Sequence, residues 1–179
     1  MVKRSLVCPL LFAISVLLFM GFPIDTRAQG TPFTHPDISL TLPEGWSSQD
    51  IPANFGKETI AWLKAEKIAG TSIMVFCYKG RRYNYAAVRI AGLKTIASSY
   101  PKGQEMLKKE EKLRTDTGLK AVWEYWRGAV DTGGQTVLLE SPMGIIAAKS
   151  GWILMLGFTP AASGPQLEED FMKILKSAR

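Results

Sequence analysis

The chain has 179 residues, with 22 Lys plus Arg against 16 Asp plus Glu, one His and two Cys. Apolar residues make up 46% and charged residues 21%, a globular composition that excludes a disordered or collagen-like chain. Two cysteines cannot build a disulfide scaffold, and one histidine cannot build a multi-histidine metal site, so neither a metal nor a cofactor is expected.

Lys3 and Arg4 precede an uncharged stretch from Ser5 to Ile24, rich in Leu, Val, Ile and Phe and closed by Gly21 and Pro23. Thr26-Arg27-Ala28 then sets small residues at positions −3 and −1 of a cut before Gln29. This is the pattern of a secretory signal peptide over residues 1–28, with an uncleaved anchor as the alternative. Cys8 lies too early to be a lipoprotein cysteine. Cleavage removes Lys3, Arg4, Arg27 and Asp25 and leaves a charge of +4, with Cys77 as the single cysteine. That excess is too small for a nucleic-acid footprint, and no later segment is apolar enough to span a membrane. The expected location is secreted or periplasmic.

Residues 29–36, with Gly30, Pro32 and Pro36, read as an extended lead-in to a single domain over residues 37–179. Asp37 to Leu42 alternates with period two and predicts a half-buried strand, turned by Pro43-Glu-Gly-Trp46. Glu58 to Glu66 fits a strand better than a short helix, since Thr59, Ile60 and Trp62 favour strands. Ser72 to Tyr78 and Trp152 to Phe158 are apolar on both alternating faces, which demands cover on both sides of a sheet. Asn84 is placed to cap a helix ending at Tyr100-Pro101, with Ala86, Ile90, Leu93, Ala97 and Tyr100 as its apolar stripe.

Met106 to Arg114 is charged along its length and reads as an exposed strand whose Lys and Glu discourage edge pairing. Asp116-Thr-Gly118 and Asp131-Thr-Gly-Gly134 are turn signals around a strand from Leu119 to Val130. Gln135 to Lys149 is a further strand in which Pro142 demands an edge, a bulge or a break. In the last helix, Ser163 and Gln166 have capping-box spacing, Pro165 suits the first turn and Glu168, Glu169 and Asp170 favour the helix start. Leu167, Phe171, Ile174 and Leu175 form its apolar stripe. The fold class is therefore α+β, a largely antiparallel sheet flanked by helices.

The opening Ile38-Ser-Leu-Thr-Leu-Pro-Glu-Gly-Trp46 resembles the start of PsbP-like domains. The strand Trp152 to Phe158 and the helix segment Phe171-Met-Lys-Ile-Leu-Lys-Ser177 resemble their end. That superfamily includes the photosystem II extrinsic subunit, a Ran-binding import factor and exported bacterial proteins of the DcrB-like kind. The resemblance spans Asp37 to Ala178 and implies an α/β/α sandwich with a binding or accessory role rather than an enzymatic one.

No motif assembles a catalytic set, and no catalytic residue is assigned. The two Asp-Thr-Gly triplets are separated by a strand that holds them tens of ångströms apart at ~3.3 Å per residue, too far for a carboxylate dyad. Ser99-Tyr-Pro-Lys102 and Lys149-Ser-Gly151 echo penicillin-binding motifs, but Pro101 ends the helix that would align the serine with its lysine. His35 reads as a solvated loop residue, and Cys77 as a buried inert thiol. Trp123 and Trp126, an odd number apart, point to opposite faces, as core on both sides or with one face lining a groove.

Lys79-Gly-Arg-Arg-Tyr83 precedes the Asn84 cap, where positive charge does not help the helix. Lys79, Arg81, Arg82, Tyr83 and Tyr85 are therefore the candidate partner-binding residues, facing a protein or peptide partner of the envelope or an anionic surface; a solvated loop is the plain alternative. The function expected is an exported, non-enzymatic binding or accessory module. The alternative is a small secreted hydrolase with an unrecognised site.

Overall fold

The computed structural model describes residues 30–179; the signal-peptide reading of residues 1–28 lies outside them. A hairpin of β1 (Thr31–His35) and β2 (Ile38–Leu42) stands apart from one seven-stranded antiparallel sheet. The expected lead-in is thus a strand, paired from Thr31↔Leu42 to His35↔Ile38. The sheet contains β3 (Trp46–Gln49), β4 (Thr59–Ala65), β5 (Ser72–Tyr78), β6 (Gln104–Arg114), β7 (Lys120–Thr132), β8 (Gln135–Ala148) and β9 (Gly151–Pro160). Its order is β3-β4-β5-β9-β8-β7-β6. The chain leaves β5 in mid-sheet, crosses one face as helix α1 (Tyr85–Ser99), enters the far edge as β6 and meanders back to β9.

Helix α2 (Gly164–Lys176) and the β1–β2 hairpin cover the other face. The result is an α/β/α sandwich in an α+β fold, as the two-sided apolar strands require. Ile73, Val75 and Ile153 pack with Leu40, Phe171 and Leu175 on the α2 face. Leu154, Leu156 and Met143 pack with Val88 and Ile96 on the α1 face. Trp123 belongs to the first core and Trp126 to the second, so both serve as core and neither lines an open groove.

Pro142 produces the expected break. The β8–β9 ladder lapses between Glu140↔Thr159 and Met143↔Leu156 without losing register, and Pro142 lies over Gly157, where a Cβ would come within 2.7 Å of its ring. The one donor that the proline lacks thus falls within that ladder's gap of two unpaired positions, Ser141 and Pro142. The charged strand β6 is the sheet edge, and its register against β7 shifts twice between Met106 and Glu111.

Both helices depart from expectation in detail. Asn84 caps α1 by accepting from Ala87 N at 2.9 Å, and Tyr100 ends the helix. Its buried line is Val88, Gly92 and Ile96, however, and Ile90 is 53% exposed. Almost every position of α1 is small or apolar, so periodicity cannot select its inner face. Close approach does: a Cβ on Gly92 would meet Met143 Sδ at 2.5 Å. In α2 the expected capping box is absent, because Ser163 closes a 3₁₀ turn (Ala161–Ser163) and makes no side-chain cap. No acid lies in the first turn; Glu168 pairs with Lys108, Glu169 with Lys173, and Asp170 accepts from Trp46. The buried stripe Leu167, Phe171, Ile174 and Leu175 is as expected.

Candidate functional site

Fifteen helical residues rise ~22 Å, whereas the thirteen residues of β7 extend ~43 Å. One helix of that length leaves a corner of its sheet face uncovered. The corner lies beyond the first residue of α1, at the start of β7 and β9 and the end of β6 and β8, and forms a cleft of about 560 Å³. Val122, Ile145, Ala147 and Trp152 make its apolar floor and wall, and Tyr85 packs on Trp152 with ring centroids 6.3 Å apart. A volume of this size lies within the range of small-molecule and side-chain pockets.

The rim is cationic. Lys112 and Arg114 project from β6 on the same face, and Lys120 stands opposite Arg114 in register. Arg114 Nη1 donates to Gly118 O at 2.9 Å, and none of the three has a carboxylate partner among the described residues. Glu110 is the acid of the rim, and it accepts from Tyr85 Oη at 2.6 Å. Burial, with the Glu110 charge beside it, pushes the Tyr85 phenol far above its ordinary value, so it is a fixed donor and not a base. Behind Tyr85, Arg89 clamps the buried Glu124 at 2.5 and 3.1 Å, and Trp126 Nε1 donates to the same carboxylate at 3.2 Å.

The five partner-binding candidates are divided by the structure. Lys79 Nζ lies 2.8 Å from the buried Asp37 carboxylate. Tyr83 packs between the Tyr78 ring, with centroids 5.1 Å apart, and the Arg82 guanidinium, 4.8 Å above its own ring. Tyr85 is the first residue of α1 and lines the cleft. Arg81 and Arg82 are exposed, with no carboxylate partner among the described residues. The loop and the cleft therefore meet at Tyr85, with free cations on both.

Residues set aside as catalytic do not converge. His35 is not a solvated loop residue: it ends β1 half-buried, with Nδ1 accepting from Asp37 N at 3.3 Å. Cys77 is buried, and desolvation, helped by the Asp37 charge, pushes its thiol up to about 11. Ser99 Oγ donates to Thr95 O at 2.9 Å while Lys102 pairs with Asp131 at 2.8 Å, so the Ser-x-x-Lys resemblance has no geometry behind it. Asp116 lies in the turn before β7, and Asp131 is the penultimate residue of β7, at its opposite end. No group of three His, Cys, Asp or Glu suited to a metal ion occurs among the described residues.

Sequence reasoning missed the cleft. Lys112-Leu-Arg114 carried a signal, since period two sets both cations on one face. Nothing local, however, announces that a helix stops short of the strands it covers.

No family model matches the chain, and no curated protein matches it. Among solved structures it is similar to cyanobacterial PsbP (CyanoP) from Synechocystis sp. PCC 6803, at 12% identity and a TM-score of 0.61 over 90% of this chain and 98% of that one. LpqN of Mycobacterium tuberculosis, described as involved in cell envelope biogenesis, aligns at 12% identity and a TM-score of 0.54, over 83% of this chain and 88% of that one. A protein of Bacteroides thetaiotaomicron aligns at 14% identity and a TM-score of 0.54, over 84% of this chain but only 48% of its own length. The fold is thus the PsbP-like α/β/α sandwich that the opening and closing motifs resemble.

Proposed function

We propose that the chain is an exported accessory module of the bacterial cell envelope, acting by binding a protein or peptide partner at the face around the start of α1. Export rests on the basic, apolar and small-residue pattern of residues 1–28. The envelope setting is supported by the likeness to LpqN, whose description places that protein in envelope biogenesis.

One observation carries the reading: a loop with two exposed, unpaired arginines adjoins an open apolar cleft with a cationic rim, and the polar groups between them are already engaged. Tyr85 is held by Glu110, Arg89 by Glu124 and Lys79 by Asp37. Such fixed pairs shape a surface; among the described residues of this face they leave no nucleophile facing a base. Arg and Tyr side chains presented by a loop on a rigid sheet suit recognition.

Capture of a partner from the native envelope fraction tests this. Arg81→Ala with Arg82→Ala should reduce capture and leave the melting temperature nearly unchanged, and capture should weaken as salt rises. Undiminished capture, or turnover abolished by a single polar-to-Ala change in the cleft, overturns the reading.

A further inference from the structure

We infer that the cleft beyond the start of α1 is the seat of an acidic peptide segment, which sets large apolar side chains on Val122, Ala147 and Trp152 and its carboxylates on Lys112, Arg114 and Lys120. The inference rests on the reading of the chain as a binding module and gives that module a site and a partner chemistry.

Charge supplies the first argument. Three cations border an apolar floor, and none has a carboxylate partner among the described residues. Single lysines elsewhere on this surface meet a carboxylate, as in Lys67–Glu44, Lys102–Asp131 and Lys173–Glu169, whereas these three cations stand together around one apolar floor. Glu110, the carboxylate that lines the cleft, accepts from the neutral Tyr85 phenol and keeps its charge, so the rim sets three positive charges against one negative.

Spacing supplies the second. Lys112 and Arg114 are two residues apart on one strand, ~6.6 Å along its axis, and Lys120 lies beside Arg114 on the next strand. Cations spread in this way fit several separate carboxylates along a chain better than one compact anionic headgroup. The floor is wide and open along the sheet, and suits anchors projecting from one side of a peptide, as when an amphipathic segment lies in a groove. Such a segment would continue the layer that α1 leaves incomplete, packing on the same sheet face past Tyr85.

The test uses a short labelled peptide with leucines on one helical face and glutamates flanking them, with fluorescence anisotropy as the readout. A matched peptide carries lysine for glutamate, and anionic lipid vesicles are run in parallel. The glutamate peptide should bind at least about tenfold more tightly than the lysine peptide. Lys112→Glu with Arg114→Glu should invert that preference, an outcome that damage to the fold does not produce. Ala147→Trp, which fills the floor from a half-exposed position, should weaken glutamate-peptide binding by about tenfold with the melting temperature retained. Equal binding of both peptides, or indifference to Ala147→Trp, overturns the inference. So does binding of vesicles alone, which would make the rim a membrane contact. Partner capture that depends on Arg81 and Arg82 but not on Lys112, Arg114 or Ala147 overturns the cleft and keeps the accessory-module reading. Peptide binding with preference inversion, but without any envelope partner, keeps the cleft and overturns that reading.

Discussion

Trp46 Nε1 donates a 2.9 Å hydrogen bond to Asp170 Oδ2, joining the Leu-Pro-x-Gly-Trp turn to the middle of the last helix. The opening and closing segments that resemble PsbP-like domains also touch directly, since Thr41 N donates to Ser177 Oγ at 2.8 Å. Trp46 and Asp170 are both buried, and Asp170 also accepts from Gln166 at 3.2 Å. Trp46→Phe keeps most of the packing and removes the donor from a buried carboxylate. Hydrogen bonds to charged groups contribute up to a few kcal/mol, so the variant should lose about 2 kcal/mol in urea unfolding. A loss no larger than that of an exposed substitution would mean that Gln166 and Lys173 suffice for Asp170.

What the sequence disclosed and what it concealed divide along a physical line. Period two in Ile38–Leu42, the two-sided apolar runs of β5 and β9, the Trp123 and Trp126 alternation and the Pro142 break are all local patterns, and each recurs in the fold. The buried face of α1 was misread because Ala, Gly, Ile, Leu and Val surround that helix, leaving the choice to Gly92 and its distant neighbours Met143 and Leu154. The ion pair behind the cleft joins residues 35 positions apart, Arg89 and Glu124, and no spacing rule reaches that far. The cleft itself arises from the mismatch between helix and strand lengths. In the segment from Lys79 to Tyr85, the two arginines were legible as surface charge, but the engagement of Lys79 by Asp37 was not, since it depends on where β1 and β2 return.

Glu124 is 1% exposed and held by Arg89 in a two-pronged contact. The hydrogen bond to Glu124, with its charge beside it, raises the Arg89 pKa further, although a guanidinium is protonated in any case. Arg89→Met strands a buried carboxylate and should destabilise by roughly 3 kcal/mol. Adding Glu124→Leu should restore much of that loss, because an apolar pair of similar size needs no desolvation of charge. Recovery will be incomplete, since Trp126 Nε1 then lacks its acceptor. Chemical denaturation of the two variants decides it, and a double variant less stable than Arg89→Met alone would refute the account.

Cys77 should react slowly in the native protein. Its side chain is buried on the α2 face of β5, and its thiol, pushed up to about 11, holds almost no thiolate near neutral pH. Labelling by a thiol reagent at pH 8 should rise only with the denaturant transition followed by tryptophan fluorescence. Rapid native labelling would show that the edge near Asp37 opens on its own.

The Asp37–Lys79 pair ties the β1–β2 turn to the end of β5, and its stability should depend on pH at the acid end. Lys79, with smaller help from Ser150 and Cys77, holds the Asp37 carboxyl below its ordinary value. An unfolded aspartate titrates near about 3.9. Folding therefore favours the ionised form: the contribution is complete above about pH 4 and is lost as pH falls through the lower folded value. At the alkaline end Lys79, raised by Asp37, contributes fully below its unfolded value of about 10.4 and loses that contribution only as pH rises through its folded one. Lys79→Ala should accordingly move the acid unfolding transition to higher pH, since Asp37 then protonates closer to its ordinary value inside the fold. Asp37→Asn should instead flatten the decline in stability between about pH 4 and pH 2, apart from what other carboxylates contribute. Urea midpoints measured across this range by tryptophan fluorescence give the comparison. Superimposable profiles for the wild type and Lys79→Ala would mean that the pair is screened by solvent and that the backbone pairing of β1 with β2 alone fixes the turn.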